Sequence, residues 1–455
     1  MDFGKKRFGK FHNHIANMKF YEREDLLREL QEIQSAADTQ AQMTAITGRP
    51  RSGRTSFVLK ATEGRPTLYF YITRKAESIL CYECQEEMQR KLELPPMGDI
   101  RDFRTLLKNI MAASKEQRFN VVIDGVQEFN TINQGIYTDL QNIWDRNKDR
   151  SHLCLFLLGS DTAPSERLFD GAHAPLAGRV TRRIRLKPYS SGMLRQILAE
   201  HYPDFTAKDL LAFWTFTGGV QGYVERLVRA GAFTAEAIAD LVCTEDSFFL
   251  GEGKSLLIED FGKEYTIYFS ILACIALDIT SRSQIEEYIQ KEIGGYLTRL
   301  ETDFHLIRKQ TPLFSKSGSK NVRYTINDNF LRFWFRYIYR NMHLVSKGDM
   351  AALRDEILAD FDSYAERCLL GYYVQRFRES GEFTTIGGWW DHHGDNDLDL
   401  IGLNEKTGHA VVARVGYEQS EADLHTLARK TAVLPEVFQG FEVEYRSLGL
   451  EGLMA

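Results

Sequence analysis

The chain has 455 residues, 43% of them apolar and 12% aromatic, with a formal net charge of −6. That composition is rich enough for several packed domains and excludes a largely disordered chain, while the near-neutral charge balance gives no global case for nucleic-acid binding. Residues 1–10 are basic and polar without the apolar stretch of a secretory signal, and the longest apolar run, Ile267 to Leu277, is too short to span a bilayer; both point to a soluble cytoplasmic protein with no membrane partner.

Residues 1–19 read as an N-terminal extension. From 20 to 188, short β-rich runs alternate with helical stretches. The runs are Met43–Thr47, Thr67–Ile72, Asn120–Asp124, Leu153–Gly159 and, more weakly, Thr181–Leu186. Between them lie Ser56–Ala61, Glu77–Leu92, Phe103–Lys115 and Tyr137–Asn147. This rhythm predicts an α/β fold, a parallel sheet with helices on both faces. Six cysteines are scattered along the chain, and Cys81 and Cys84 form a single C-x-x-C. With no second pair or spaced histidines to close a metal site, they read as reduced thiols.

Pro188 marks a change of pattern. Residues 189–255 are helical in rhythm, with Ser190-Ser191-Gly192 as a cap and Gly218-Gly219 as a break. Residues 256–345 hold helix-like Tyr268–Leu277, Gln284–Ile289 and Tyr296–Ile307. Two β-like runs, Pro312–Phe314 and Val322–Ile326, then flank a turn rich in Ser, Gly and Asn. Three helices and a hairpin describe a winged helix. Arg299, His305, Arg308 and Lys309 fall in or just after its third helix, and Lys316, Lys320 and Arg323 fall on the wing. Residues 346–455 hold a helix at Ala359–Arg378, strands at Phe383–Trp390, Leu398–Leu403 and Gly408–Val415, a helix at Glu421–Val433 and a strand at Phe441–Tyr445.

The strongest chemical signal is Gly48-Arg49-Pro50-Arg51-Ser52-Gly53-Arg54-Thr55-Ser56, between a β-rich run and a helical one. It follows the phosphate-loop pattern G-x-x-x-x-G-K-[ST], with arginine in place of the lysine. The glycines let main-chain N–H groups cradle phosphate oxygens at a helix N-terminus. Pro50 lacks an N–H, but the phosphate-facing amides come mostly from later in the loop. Thr55 stands where a hydroxyl would coordinate Mg²⁺. Val121-Val122-Ile123-Asp124 supplies the matching carboxylate at a strand end, which holds Mg²⁺ directly or through water. Hydrolytic P-loop proteins commonly follow that aspartate with a glutamate that polarises water. Here Gly125 follows, and the next acid is Glu128. Losing a positioned base costs about 10²–10⁴ in rate.

In order along the chain, these motifs resemble the archaeal-type ATPases of the STAND branch of the AAA+ superfamily. Phe20-Tyr21-Glu22-Arg23-Glu24 is similar to the family's motif before the first helix, and Tyr69-Phe70-Tyr71-Ile72 to its second strand. Val121–Asp124 resembles its Walker B strand, and Gly159-Ser160 its sensor position. Pro175-Leu176-Ala177-Gly178-Arg179 resembles its P-L-x-G-R segment, and Thr217-Gly218-Gly219-Val220 its lid motif, continued by Gln221 instead of proline. The resemblance implies a P-loop parallel αβα sandwich, a helical lid, a winged helix and a C-terminal restriction-endonuclease-like α/β domain. It implies ATP or ADP with Mg²⁺ as cofactors, Arg54, Asp124 and Arg179 as catalytic positions, and Thr55 and Asp124 as metal ligands. Arg179 reads either as a γ-phosphate sensor or as a surface arginine. The departures at Arg54 and Gly125 imply binding with slow or absent hydrolysis.

The nuclease-like end departs further from its pattern. Such a site needs an Asp on one strand and E-x-K on the next. Asp397-Leu398-Asp399 matches the first, but Arg414 and Gly416 stand at the second, leaving Asp399 and Glu366 as relics without nuclease activity. Asp391-His392-His393-Gly394-Asp395-Asn396-Asp397 reads as a polar hairpin, and Trp389 and Trp390 either stack on bases or place one ring inward. The leading function is a nucleotide-dependent switch or scaffold, with a protein partner open. The alternatives are a DNA-binding winged-helix protein with a structural nucleotide core, and an active ATPase with a working nuclease-like domain.

Overall fold

The computed structural model describes Tyr21 and residues 23–94, 98–171, 174–316, 318–391 and 396–454. The expected N-terminal extension, part of the motif before the first helix, Ser317 of the hairpin turn and residues 392–395 of the polar run lie outside these. The chain divides into two compact units, Met1–Lys187 and Pro188–Ala455.

The first unit is built on a five-stranded parallel sheet. Its strands are β1 (Gln42–Gly48), β2 (Thr67–Tyr71), β3 (Phe119–Asp124), β4 (Leu153–Ser160) and β5 (Arg182–Leu186), in the order β2-β3-β4-β1-β5. Successive side chains point to opposite faces, so a strand covered on both sides reads as a continuous apolar run. In β3, Val121 and Ile123 enter one core while Val122 enters the other; in β4, Leu155 and Leu157 divide from Phe156 and Leu158 in the same way. One face is covered by α1 (Glu24–Ala36) and α2 (Arg54–Ala61). The other is covered by α3 (Glu77–Leu92), α4 (Phe103–Ala113) and α5 (Gly135–Asn147). Cys81 and Cys84 are free thiols packed in that second core, and burial raises both, Cys81 to about 12. Inert packing follows, because the thiolate is the reactive form.

The second unit begins with α6 (Ser191–His201), α7 (Ala207–Thr217), α8 (Gln221–Ala230), α9 (Ala235–Val242) and α10 (Phe248–Phe261). Ser190 caps α6 through the Met193 N–H, and Thr206 with Asp209 forms a capping box on α7. Then come α11 (Tyr265–Ala276), α12 (Arg282–Ile289), α13 (Gly294–Thr302) and an antiparallel pair, β6 (Ile307–Gln310) with β7 (Arg323–Ile326). This corrects the expected hairpin. Its first strand is not Pro312–Phe314 but the polar Ile307–Gln310, and α13 ends at Thr302. His305, in a left-handed conformation at φ 54°, lies in the turn after α13. Main-chain pairing with β7, which side-chain pattern does not reveal, makes the strand.

The C-terminal part carries the helix α14 (Met350–Ser380) and a mixed sheet of β8 (Thr385–Trp390), β9 (Asp397–Asn404), β10 (His409–Val415) and β11 (Glu442–Leu448), in the order β11-β10-β9-β8. The β10–β11 pair is parallel, and its crossover is α15 (Glu421–Thr431). A charge network ties the helical segment at residues 329–339 to α14. Buried Arg336 donates to Asp360 at 2.7 Å, to Asp278 at 3.2 Å and to the Ala276 carbonyl at 3.0 Å. Tyr337 donates to the same Asp360 oxygen, and Arg367 pairs with Asp278. Replacing Arg336 by methionine strands these acceptors. Because Asp278 and Asp360 keep access to water, the expected loss is about 1–2 kcal/mol, seen as a lower urea midpoint for the second unit.

Candidate functional site

The loop between β1 and α2 sits at the C-terminal edge of the parallel sheet. β1 ends at Gly48, which is level with Ser160 of β4, and β3 ends at Asp124, level with Leu158 of β4. One strand therefore separates the loop strand from the aspartate, about 10 Å at the usual strand spacing. The loop turns back on itself through the Ser52 N–H, which donates to the Arg49 carbonyl at 3.1 Å, with Arg51 at φ 65° and Gly53 at φ 80°. Gly48 is required by close approach: a Cβ there would lie 2.6 Å from Ser52 Oγ and 3.1 Å from the Leu186 carbonyl. The Ser52 hydroxyl is buried and has no hydrogen-bond partner among the described residues. No side chain caps the start of α2. A buried orphan hydroxyl and uncapped helix N–H groups in one turn are the features of an anion cradle.

Two hydroxyls converge on Asp124. Thr55 Oγ1 donates to Asp124 Oδ2 at 3.1 Å, and the Tyr69 hydroxyl donates to the same oxygen. Tyr69 also lies 3.4 Å from Thr55 Oγ1. Burial and the neighbouring Asp124 charge push the Tyr69 phenol well above its ordinary value, so it remains a neutral donor. Arg54 turns inward and donates through Nη1 to the Gly159 carbonyl at the end of β4. Burial pulls its guanidinium below the ordinary value, and the charge of Asp124 counters that pull. Sequence reading assigned Tyr69 no role. Its position alternating with buried Leu68 and Phe70 on a β-strand is the mark of a sheet residue, and only the fold aims it at Asp124.

Thr55 and Asp124 are thus in contact, as a shared Mg²⁺ would require, and both offer the oxygen donors that ion prefers. The donor set fits the metal, although Tyr69 holds one of its oxygens. The missing acid after Asp124 is a feature of the backbone. Gly125 has φ 86°, and a Cβ there would meet the Ile72 carbonyl oxygen at 2.9 Å. Glu128 pairs with Arg74 at 2.8 Å.

Arg179 is not brought to the loop. It forms a two-pronged pair with Asp145 near the end of α5, at 2.7 and 3.1 Å. The Thr181 N–H two residues on bonds to the Met43 carbonyl at the start of β1, which fixes this segment at the N-terminal edge of the sheet. The length of β1 thus lies between Arg179 and the loop, and of its two readings this geometry favours the arginine on the surface, paired with Asp145, over the γ-phosphate sensor.

In the C-terminal sheet, the expected relics share one bend. Asp399 accepts from the Val415 N–H at 2.9 Å and Glu366 from the Tyr417 N–H at 3.1 Å, on either side of Gly416. Arg414 lies 3.4 Å from Asp423. Trp390 is 8% exposed and its indole donates to Asn321 at 2.9 Å, so base stacking by this ring is ruled out. Trp389 packs against the sheet core. Asn396 bonds to Asp391 across the polar run.

Residues 334–427 match the family described as archaea bacterial proteins of unknown function. An uncharacterized protein of Methanocaldococcus jannaschii is 26% identical over 410 residues, spanning 88% of each chain. Similar solved structures include a Walker-type ATPase of Pyrococcus abyssi, at 19% identity and TM-score 0.49, over 70% of this chain and 96% of that one. They also include the ORC2 protein of Aeropyrum pernix in ADPNP and ADP complexes, at 15% identity and TM-score 0.49, over 74% of this chain and 97% of that one. Among the described residues, no helix is long and apolar enough to cross a membrane.

Gly125→Ala forces a left-handed backbone and a backbone contact at once. It is expected to cost at least about 1–3 kcal/mol, read as a lower thermal midpoint. At Asp399, burial raises the carboxyl above its ordinary value. Its contribution to stability is therefore fully present below about pH 3.9 and is lost as pH rises through the raised value. Asp399→Asn should flatten that part of the stability–pH profile in urea titrations, while keeping an acceptor for the Val415 N–H.

Proposed function

We propose that the first unit is a P-loop nucleotide-binding core that takes ATP or ADP at Gly48–Ser56 and hydrolyses ATP slowly or not at all. The observation that carries this reading is the junction at the sheet edge. There an uncapped loop–helix turn holds the orphan Ser52 hydroxyl, and Thr55 touches Asp124 across β4. In this reading, main-chain N–H groups of the loop bind the phosphates and Thr55 and Asp124 are the residues that would hold an accompanying Mg²⁺. Arg54 contributes positive charge from below the loop instead of reaching out to the phosphates as a lysine would. The left-handed Gly125 supports slow hydrolysis, since it leaves no acid in line to polarise water.

Within the second unit we assign residues 189–255 to a lid, 256–345 to a winged helix and 346–455 to a nuclease-like domain without cutting activity. The bound nucleotide then acts as a switch or scaffold signal, which needs contacts that differ between states. The wing reads better as a packing element than as a DNA reader. Asn321 bonds to the Trp390 indole, Arg323 lies 4.4 Å over the same ring, and the Leu313 N–H donates to the Gly388 carbonyl at 2.8 Å. Lys316 and Lys320 stay exposed. A salt-dependent DNA affinity that falls when both are changed to alanine would restore the DNA-binding reading.

Calorimetric titration with ADP and ATP in Mg²⁺ is expected to give binding at one site, and a phosphate-release assay to give no more than the buffer control. Gly48→Val, which drives a side chain into Ser52 and Leu186, should weaken binding by at least about tenfold. Steady ATP turnover would overturn the slow-hydrolysis reading, and absence of binding would overturn the core assignment itself.

A further inference from the structure

Tyr69 is the unexpected member of the loop site. A carboxylate oxygen offers two lone pairs, and Asp124 Oδ2 receives hydroxyl donors from both Thr55 and Tyr69. A Mg²⁺ ion that took this oxygen as a ligand would have to displace one of the two donors, which leaves Oδ1 as the oxygen open to it. Thr55 can turn aside, since a hydroxyl at a helix start has rotamer freedom and is itself a candidate ligand. Tyr69 has less freedom. It lies within β2, in register with Val122 of β3, and its ring packs against the core on the α1–α2 face. The neighbouring cation is equally fixed, because Arg54 is anchored on the Gly159 carbonyl. Asp124 therefore already has two hydrogen bonds and a positive charge in its neighbourhood before any metal arrives.

We infer that Tyr69 weakens the contribution of Mg²⁺ to nucleotide binding at this site: by holding Asp124 Oδ2 it leaves the metal chiefly Oδ1, with Arg54 supplying part of the charge balance. This rests on the nucleotide-binding reading above. Tyr69 acts on the metal through Asp124 and is a positioning residue, so its signature is a change in metal dependence rather than a uniform loss of affinity.

The test is calorimetric titration of the full chain with ADP, in MgCl₂ and separately in EDTA, for wild type and Tyr69→Phe. The wild-type affinities should agree within about threefold between the two conditions, and in Tyr69→Phe Mg²⁺ should tighten ADP by about 10- to 100-fold, the equivalent of one hydrogen bond to a charged group. Tyr69→Met, which also lacks the hydroxyl, should show the same gain, and thermal unfolding of both variants checks that they fold. Wild-type ADP binding that already requires Mg²⁺ overturns the inference and leaves the nucleotide reading standing. So does an unchanged Mg²⁺ ratio in whichever variant folds. If ADP binds in neither condition to any of the proteins, the nucleotide reading falls and this inference with it.

Discussion

One inward-turned cation organises the loop end of the parallel sheet. Arg54 opens α2 and turns its guanidinium inward, onto the Gly159 carbonyl and alongside Asp124. An isolated charge in such a place would be costly, so its surroundings must answer it. The main-chain carbonyl at the end of β4 provides one acceptor, and the carboxylate at the end of β3 provides the opposite charge. Both are delivered by the register of the sheet, which brings Gly48, Ser160 and Asp124 to one edge. Thr55 and Tyr69 then complete the shell of Asp124. A lysine here would be a flexible point charge free to follow a phosphate, whereas the planar fork of arginine is committed to the acceptors it already has.

The same economy of groups marks the second unit. Two carboxylates of the C-terminal part are engaged with the backbone. Asp399 and Glu366 each accept from a main-chain N–H beside Gly416, and Arg414 turns to Asp423. These acids anchor the bend that follows β10 against β9 and α14. Nearby, Arg336 does for the helical segment what Arg54 does for the loop: one buried guanidinium satisfies carboxylates and a carbonyl from separate stretches of chain. In both units, these polar groups fasten separate stretches of chain to one another.

Much of the first unit was legible because the signals were local. Continuous apolar runs such as Val121-Val122-Ile123 announce strands covered on both faces, and the loop glycines announce a tight turn before a helix. What failed was information carried between strands. Arg179 read equally as a sensor or as a surface arginine, because whether a segment lies at the loop edge of a sheet or the opposite edge depends on which end of β1 it meets. Ile307–Gln310 looked unlike a strand because two of its residues are charged, and its pairing with β7 is made by main-chain groups common to every residue. Trp390 was ambiguous between an exposed and a buried ring until Asn321 and Arg323 met it from the hairpin.

By itself, the sequence determined the alternation of strands and helices, the phosphate-loop turn and the identity of the groups missing from it, because each depends on residues within a few positions of one another. The tertiary structure alone decided where those groups point. That Arg54 bends under β4, that Tyr69 shares an oxygen of Asp124, and that Gly125 has no room for a side chain beneath Ile72 all depend on strands far apart in the chain lying side by side. Hydrogen bonds reach only about 3 Å, so the chemistry at the loop was settled by strand register and not by motif.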